Sequence, residues 1–279
     1  MKFNLHTHST YCDGSKEVED MILGAIKYKY NIIGISSHGP LPFSSDWTMK
    51  KEKLNSYIKE VQDLKNKYKD KIKVLLGLEL DYIVDYKMKY IDKKTFDSLD
   101  YWIGSVHFLG KSQSSGYWTV DYNLEELKQG IKESFGGDVE KAVCQYYNYI
   151  KDMIENYNPP ILGHLDLIKK NNQGGILFNE SHKWYRKSVL SLLDKIKISK
   201  TVVELNTGGK YRGYSESYYP SNWILKKINE KNIPVTISRD AHDIESLDYE
   251  YEESIDLLKK IGFDNIYYFN GKKWCELKI

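Results

Sequence analysis

An α/β fold in which parallel strands close into a barrel is predicted by three features of the sequence. β-branched apolar runs alternate with amphipathic helical stretches through almost the whole chain, and no low-complexity segment or shift in composition marks a second domain. All but one of the 7 histidines stand at, or just after, the end of an apolar run. Residues 1–279 are therefore read as a single catalytic barrel with an insertion at about 108–137, an open doubly wound sheet being the alternative. In a barrel the functional end is where the strands finish, and that is where the histidines are.

Phe3 to His8 opens the chain as a strand. Side chains two apart on a strand share a face, so His6 and His8 reach the same side, and the next loop adds Asp13 and a turn glycine, Gly14. Glu17 to Tyr30 sets Val18, Met21, Ile22, Ala25 and Ile26 at helical spacing. A strand from Ile32 to Ser37 ends in His38, and Asp46 to Asp70 contains a charged helix with an apolar stripe of Leu54, Tyr57, Ile58, Val61 and Leu64. Ile72 to Leu80 is nearly continuous apolar sequence around Glu79, as expected of a strand covered on both faces. Lys87 to Leu99 reads as a helix and Tyr101 to Val106 as a strand leading to His107.

Phe108 to Gly137 breaks the rhythm. It is rich in Gly, Ser, Tyr and Gln, with a short helical patch near Leu124 to Ile131, and reads as an insertion over one end of the domain. The alternation resumes with a helix to Tyr157, a strand from Ile161 to Leu167 carrying His164 and Asp166, and a helix from Glu180 to Ile198. A strand from Thr201 to Leu205 precedes a loop holding Gly208, Gly209 and Gly213, and a helix spans Ser221 to Lys231. The strand Pro234 to Ser238 leads to Asp240 and His242, a helix within Ser246 to Ile261 stops at Gly262, and a last strand covers Ile266 to Phe269. His182, at the start of a polar helix, reads as solvated.

Composition excludes several classes of partner. A formal charge of +2 gives no electrostatic footprint for nucleic acid or an anionic membrane. The 3 cysteines, Cys12, Cys144 and Cys275, are odd in number and widely separated, so a reducing cytoplasm is the expected setting. No apolar run approaches the roughly 20 residues of a membrane span, and no signal-like segment opens the chain. A soluble, intracellular protein is expected.

The strand-end residues able to ligate metal are His6, His8, Asp13, His38, Glu79, His107, His164, Asp166, Asp240 and His242. Any one of these histidines alone reads as a hydrogen-bonded core residue, but the set has no packing reason to exist. Mixed imidazole and carboxylate donors suit Zn, Mn or Fe, and so many donors exceed what one ion needs. Two or three divalent ions sharing a carboxylate account for them.

The run His6-Thr7-His8 with Asp13, then His38, Glu79, His107, His164 and Asp240-Ala241-His242, resembles the polymerase and histidinol phosphatase (PHP) superfamily over residues 3 to about 243. Gly104-Ser105-Val106-His107-Phe108, Gly163-His164-Leu165-Asp166-Leu167-Ile168-Lys169, Glu204-Leu205-Asn206-Thr207-Gly208-Gly209 and Ser238-Arg239-Asp240-Ala241-His242 resemble the stand-alone histidinol-phosphate phosphatases within it. The resemblance implies a distorted (β/α)7 TIM-like barrel with its active site at the C-terminal strand ends, and hydrolysis of the phosphomonoester L-histidinol phosphate in histidine biosynthesis. It also implies one ion on His6, His8, Glu79 and Asp240, a second on Glu79, His107 and His164, and a third on Asp13, His38 and His242. A hydroxide bridging two ions would attack phosphorus, with Asp240 or His242 assisting proton transfer.

Arg212, Arg239 and Lys169 are the nominated phosphate cations, with Lys170 and Lys210 as further candidates, the arginines favoured because a guanidinium grips phosphate bidentately. Glu216, Tyr219, Asp81 and Trp118 are candidates for recognising the rest of the substrate. Rival readings are a PHP phosphoesterase acting on nucleotides, sugar phosphates or phosphotyrosine, and a non-catalytic metal-binding barrel. A nucleic-acid exonuclease lacks the basic face it would need.

Overall fold

The computed structural model describes residues 1–112 and 116–279; residues 113–115 of the expected insertion lie outside the described residues. The chain runs β1 (Phe3–Asn4), α1 (Val18–Lys27), β2 (Ile32–Ile35), α2 (Leu54–Lys67), β3 (Lys73–Leu76), β4 (Glu79–Asp81), α3 (Lys93–Ser98) and β5 (Ile103–Ser105). It continues through β6 (Phe108–Ser112), β7 (Gly116–Thr119), α4 (Leu124–Phe135), α5 (Val139–Tyr157), β8 (Ile161–Leu162), α6 (Lys183–Ser199) and β9 (Val202–Asn206). α7 (Gly208–Tyr211), α8 (Asn222–Glu230), β10 (Val235–Ser238), α9 (Tyr251–Ile261), β11 (Asn265–Phe269) and β12 (Trp274–Lys278) complete it.

Two parallel arcs, β1-β2-β3 and β10-β9-β8-β5-β4, make the barrel wall. Parallel bridges between Thr7 and Ala241 and between His38 and Glu79 join them at both seams. β3 and β4 are halves of one strand, the first pairing with β2 and the second with β5, so the wall is a distorted (β/α)7 TIM barrel. The break falls at Gly77. Tyr101 fills the interior there, and a Cβ on Gly77 would lie 2.5 Å from its ring and one on Gly34 across from it 2.1 Å from its hydroxyl. Glycine is what lets the ring in.

The strands are buried along their length, as a sheet covered by helices requires. The helices present one apolar face each: Val18, Met21, Ile22 and Ala25 on α1, and Tyr57, Val61 and Leu64 on α2, are buried. Among the described residues no helix is long and apolar enough to cross a membrane.

Several elements depart from the expected reading. The strand expected over Ile161 to Leu167 stops at Leu162, because the Glu204 side chain takes the His164 amide at 2.7 Å where a neighbouring strand would have done so. The helix expected from Lys87 begins only at Lys93, where Asp92 caps it by accepting from the Thr95 amide at 2.7 Å. Ile266 to Phe269 belongs to an antiparallel hairpin, β11-β12, packed under the barrel, with Phe269 6.4 Å from the Tyr101 ring. The stretch expected to be an insertion holds a β6-β7 hairpin followed by α4, which Asn123 caps and which runs beyond the expected patch to Phe135.

Candidate metal centre

The functional side chains are delivered by strand ends or the loops after them, except Glu79, which follows the break between β3 and β4. His6 and His8 leave β1 together, and Asp13 is turned back toward them by a tight loop in which the Gly14 amide donates to the Ser9 carbonyl at 3.1 Å. A Cβ on Gly14 would lie 2.4 Å from the Ser9 nitrogen, so only glycine closes this loop. His38 follows β2, Glu79 starts β4, His107 follows β5, His164 follows β8, and Asp240 and His242 follow β10.

Glu79 is the hub. Its Oε2 stands 3.0 Å from His6 Nε2, 3.0 Å from His38 Nδ1 and 3.5 Å from His8 Nε2. The other oxygen, Oε1, stands 2.9 Å from His164 Nε2 and 3.8 Å from His107 Nε2, and accepts from Ser105 Oγ at 2.6 Å. Asp240 Oδ1 lies 3.1 Å from His8 Nε2 and 3.7 Å from His6 Nε2. Asp13 lies 3.3 Å from His242 and 3.8 Å from His38. The donor atoms form three groups, each within 4.8 Å: His8, Asp13, His38 and His242; His6, His8 and Asp240; and Glu79, His107 and His164.

These groups fit divalent ions by an observation independent of the count. Nε2 of His8 and Nδ1 of His38 are buried and make no well-formed hydrogen bond, although carboxylate oxygens of Asp240 and Glu79 stand 3.1 and 3.0 Å away. Unpaired buried polar atoms are costly, and two imidazole nitrogens converging beside carboxylates are part of the donor set of a hard or borderline cation. The outer nitrogens are held where a ligand needs them: His6 Nδ1 by Glu204 at 2.9 Å and His107 Nδ1 by Asp81 at 2.7 Å.

Electrostatics without metal show strain of the same kind. Burial and the neighbouring His242 and His38 rings push His8 down to about 3. Burial also opposes charge on His107, yet Asp81 and Glu79 outweigh it and lift the ring to about 10, and the carboxylates of Glu204, Glu79 and Asp240 likewise raise His6. Glu79 keeps its charge against burial because His38, His6 and His164 surround it, and Asp240 does so chiefly through Arg212 and His6. His6 and His107 must therefore shed protons to become ligands. The sign is fixed: as pH rises from 6 to 8, apparent Zn affinity should climb by roughly tenfold per pH unit for each proton displaced. Calorimetry in buffers of different ionisation enthalpy checks this, and binding without proton release contradicts it.

A cavity of about 470 Å³ opens over the centre, lined among others by Trp47, Thr119, Asp121, Tyr122, Lys170, Arg212, Tyr214 and Tyr219. Arg212 reaches it as expected, its guanidinium donating to Asp240 Oδ2 at 2.9 Å and to the Asp240 carbonyl at 2.8 Å. Arg239 does not. Ser238 points inward to Glu204, so its neighbour points out, and Arg239 lies 1% exposed behind the barrel with its guanidinium 4.6 Å from the Tyr251 ring. Lys169 is buried and spent on Asp166 at 2.9 Å and Ser221 Oγ at 2.6 Å, so Asp166 also stands outside the three groups. Glu216 is exposed on a different surface, and Lys210 pairs with Glu250 at 2.8 Å. Asp81 is committed to His107, and Trp118 is packing, its indole donating to Ser134 at 3.0 Å.

Sequence reasoning passed over Glu204 as a site residue, along with Asn206, Trp47 and Asp121. The signal for Glu204 was a carboxylate inside the apolar run Thr201-Val202-Val203-Glu204-Leu205, where a charge needs a partner. Trp47 lies in an irregular loop with no periodicity to read, and its ring meets His38 at 4.7 Å and His107 at 5.3 Å.

A parallel barrel carrying contiguous imidazole and carboxylate groups at its C-terminal mouth is the architecture of a divalent-metal enzyme. The chain belongs to the PHP domain family, whose model matches residues 4–208. It is 31% identical to a histidinol-phosphatase of Bacillus subtilis (strain 168), covering 88% of this chain and 96% of that protein. Its fold matches a crystal structure of a candidate histidinol phosphatase from Listeria monocytogenes with TM-score 0.81 and 24% identity, over 90% of this chain and 99% of that one. It also matches histidinol phosphate phosphatase of Lactococcus lactis, solved with Zn, L-histidinol and phosphate, with TM-score 0.73 and 24% identity over 98% of both chains.

Proposed function

We propose that this chain hydrolyses L-histidinol phosphate to L-histidinol and phosphate in histidine biosynthesis, using two or three Zn, Mn or Fe ions. His6, His8, Asp13, His38, Glu79, His107, His164, Asp240 and His242 are the proposed ligands. The observation that carries the reading is the junction at Glu79, whose two carboxylate oxygens face separate sets of imidazoles in one cavity. The sequence similarity to the Bacillus histidinol-phosphatase supports the substrate, as do the ligands bound by the Lactococcus protein.

Bound ions supply Lewis acidity for the phosphate oxygens and bring the pKa of water toward neutrality. The chain's own residues do the rest. Arg212 and Lys170 are the cations lining the cavity among its described residues, and Arg212 is placed to hold phosphate while it orients Asp240. Asp240, held ionised, would take up the proton of the attacking water and pass the same proton to the leaving alkoxide, with His242, 3.6 Å away, orienting the carboxylate. The 108–137 insertion roofs the cavity of one catalytic unit, through Thr119, Asp121 and Tyr122. A cytoplasmic setting agrees with three unpaired cysteines.

Phosphate release from metal-loaded protein over a panel of phosphomonoesters tests the reading. L-histidinol phosphate is expected to give the highest kcat/KM. Equal or better turnover of a nucleotide, sugar phosphate or phosphotyrosine overturns the substrate, and tight metal binding without cleavage of any ester favours a non-catalytic barrel.

A further inference from the structure

The cavity is lined by four carboxylates among the described residues: Asp13, Glu79, Asp240 and Asp121. The first three belong to the metal groups. Asp121 does not, and it lines the same cavity. The Val120 amide donates to the His107 carbonyl at 2.8 Å, which sets the next residue at the cavity wall on the His107 side. Its carboxylate is only 21% exposed, and Oδ2 meets Lys170 Nζ at 3.2 Å, leaving Oδ1 for a ligand. Lys170, 16% exposed and 4.3 Å from the Tyr214 ring, needs this carboxylate as its counter-ion, which fixes the Asp121 side chain at the cavity wall.

Resting on the proposed substrate, we infer that Asp121 is the specificity-determining residue that accepts a hydrogen bond from the cationic nitrogen of the substrate, while Lys170 holds its carboxylate in place. The structure thereby divides the cavity: phosphate toward Arg212, the nitrogen-bearing end toward Asp121. The nominated acceptors Glu216 and Asp81 are excluded by their positions, the first outside the cavity and the second engaged with His107.

Asp121→Asn, Asp121→Glu and the unaltered protein, each metal-loaded, are compared on L-histidinol phosphate and on p-nitrophenyl phosphate, which has no cationic nitrogen. Loss of a charge-assisted hydrogen bond should raise KM for histidinol phosphate about tenfold to a hundredfold in D121N, with kcat changed far less. kcat/KM for p-nitrophenyl phosphate should fall much less than that for histidinol phosphate, and D121E should recover part of the lost preference. Equal losses on both esters, or none on histidinol phosphate, overturn the inference and leave the substrate reading standing. Unaltered protein that cleaves p-nitrophenyl phosphate but not histidinol phosphate overturns the substrate reading, and this inference with it.

Discussion

Glu79→Ala is expected to cut turnover by roughly 10³-fold or more, about 4 kcal/mol of barrel-mouth charge stabilisation, and to lower the divalent metal content of the protein. The size follows from position. Glu79 is 1% exposed, and its two oxygens reach His6 and His38 at 3.0 Å on one side and His164 at 2.9 Å on the other. No other carboxylate of the described centre faces both sets, so its loss should weaken two of the proposed ion sites at once. The imidazoles it leaves behind are buried and mutually repulsive, which also costs the metal-free fold stability. Glu79→Gln, which keeps the shape and loses the charge, separates the effects: it should remain folded by circular dichroism and still lose metal and turnover. A folded E79Q with full metal content and normal kcat would contradict the bridging role.

Glu204→Gln is the second large effect expected, through a residue that touches no substrate. Glu204 is fully buried and accepts four hydrogen bonds: His6 Nδ1 at 2.9 Å, the His164 amide at 2.7 Å, Asn206 Nδ2 at 2.8 Å and Ser238 Oγ at 2.7 Å. An anion at that point forces the proton of neutral His6 onto Nδ1 and frees Nε2 as a donor to metal. A glutamine that keeps its oxygen on the His164 amide turns its NH2 toward His6 Nδ1, which then accepts, and the ring proton moves to Nε2. Metal affinity should fall about 10- to 100-fold. Competitive Zn titration reads the affinity, and ¹⁵N shifts of the His6 ring read the tautomer. A weakened fold with an unchanged tautomer would mean that Glu204 only braces strands.

The histidines at the barrel mouth were legible because each ends or closely follows an apolar run, and parallel strands place their ends together; Asp13 was legible only as a carboxylate in the loop after the first pair. Periodicity likewise located the helices whose buried faces cover the wall, such as Met21, Ile22 and Ala25 on α1. What was not legible depended on side-chain direction beyond a strand's end. Arg239 and Asp240 are neighbours in sequence on opposite sides of β10's continuation, and choosing which one faces the cavity needs the register. Lys169 and Lys170 raise the same difficulty on a 3₁₀ turn: one is buried against Asp166 and the other lines the cavity. The β6-β7 hairpin escaped because its pairing shifts register between Phe108 and Gly110, which blurs the period-two pattern.

Metal analysis of the purified protein, coupled to removal and return of the ions, tests the proposed metal cluster more directly than any substitution. Two to three equivalents of Zn, Mn or Fe per chain are expected, with phosphatase turnover lost on chelation and restored by adding a divalent ion back. Active protein free of bound transition metal, or turnover indifferent to chelation, would contradict it.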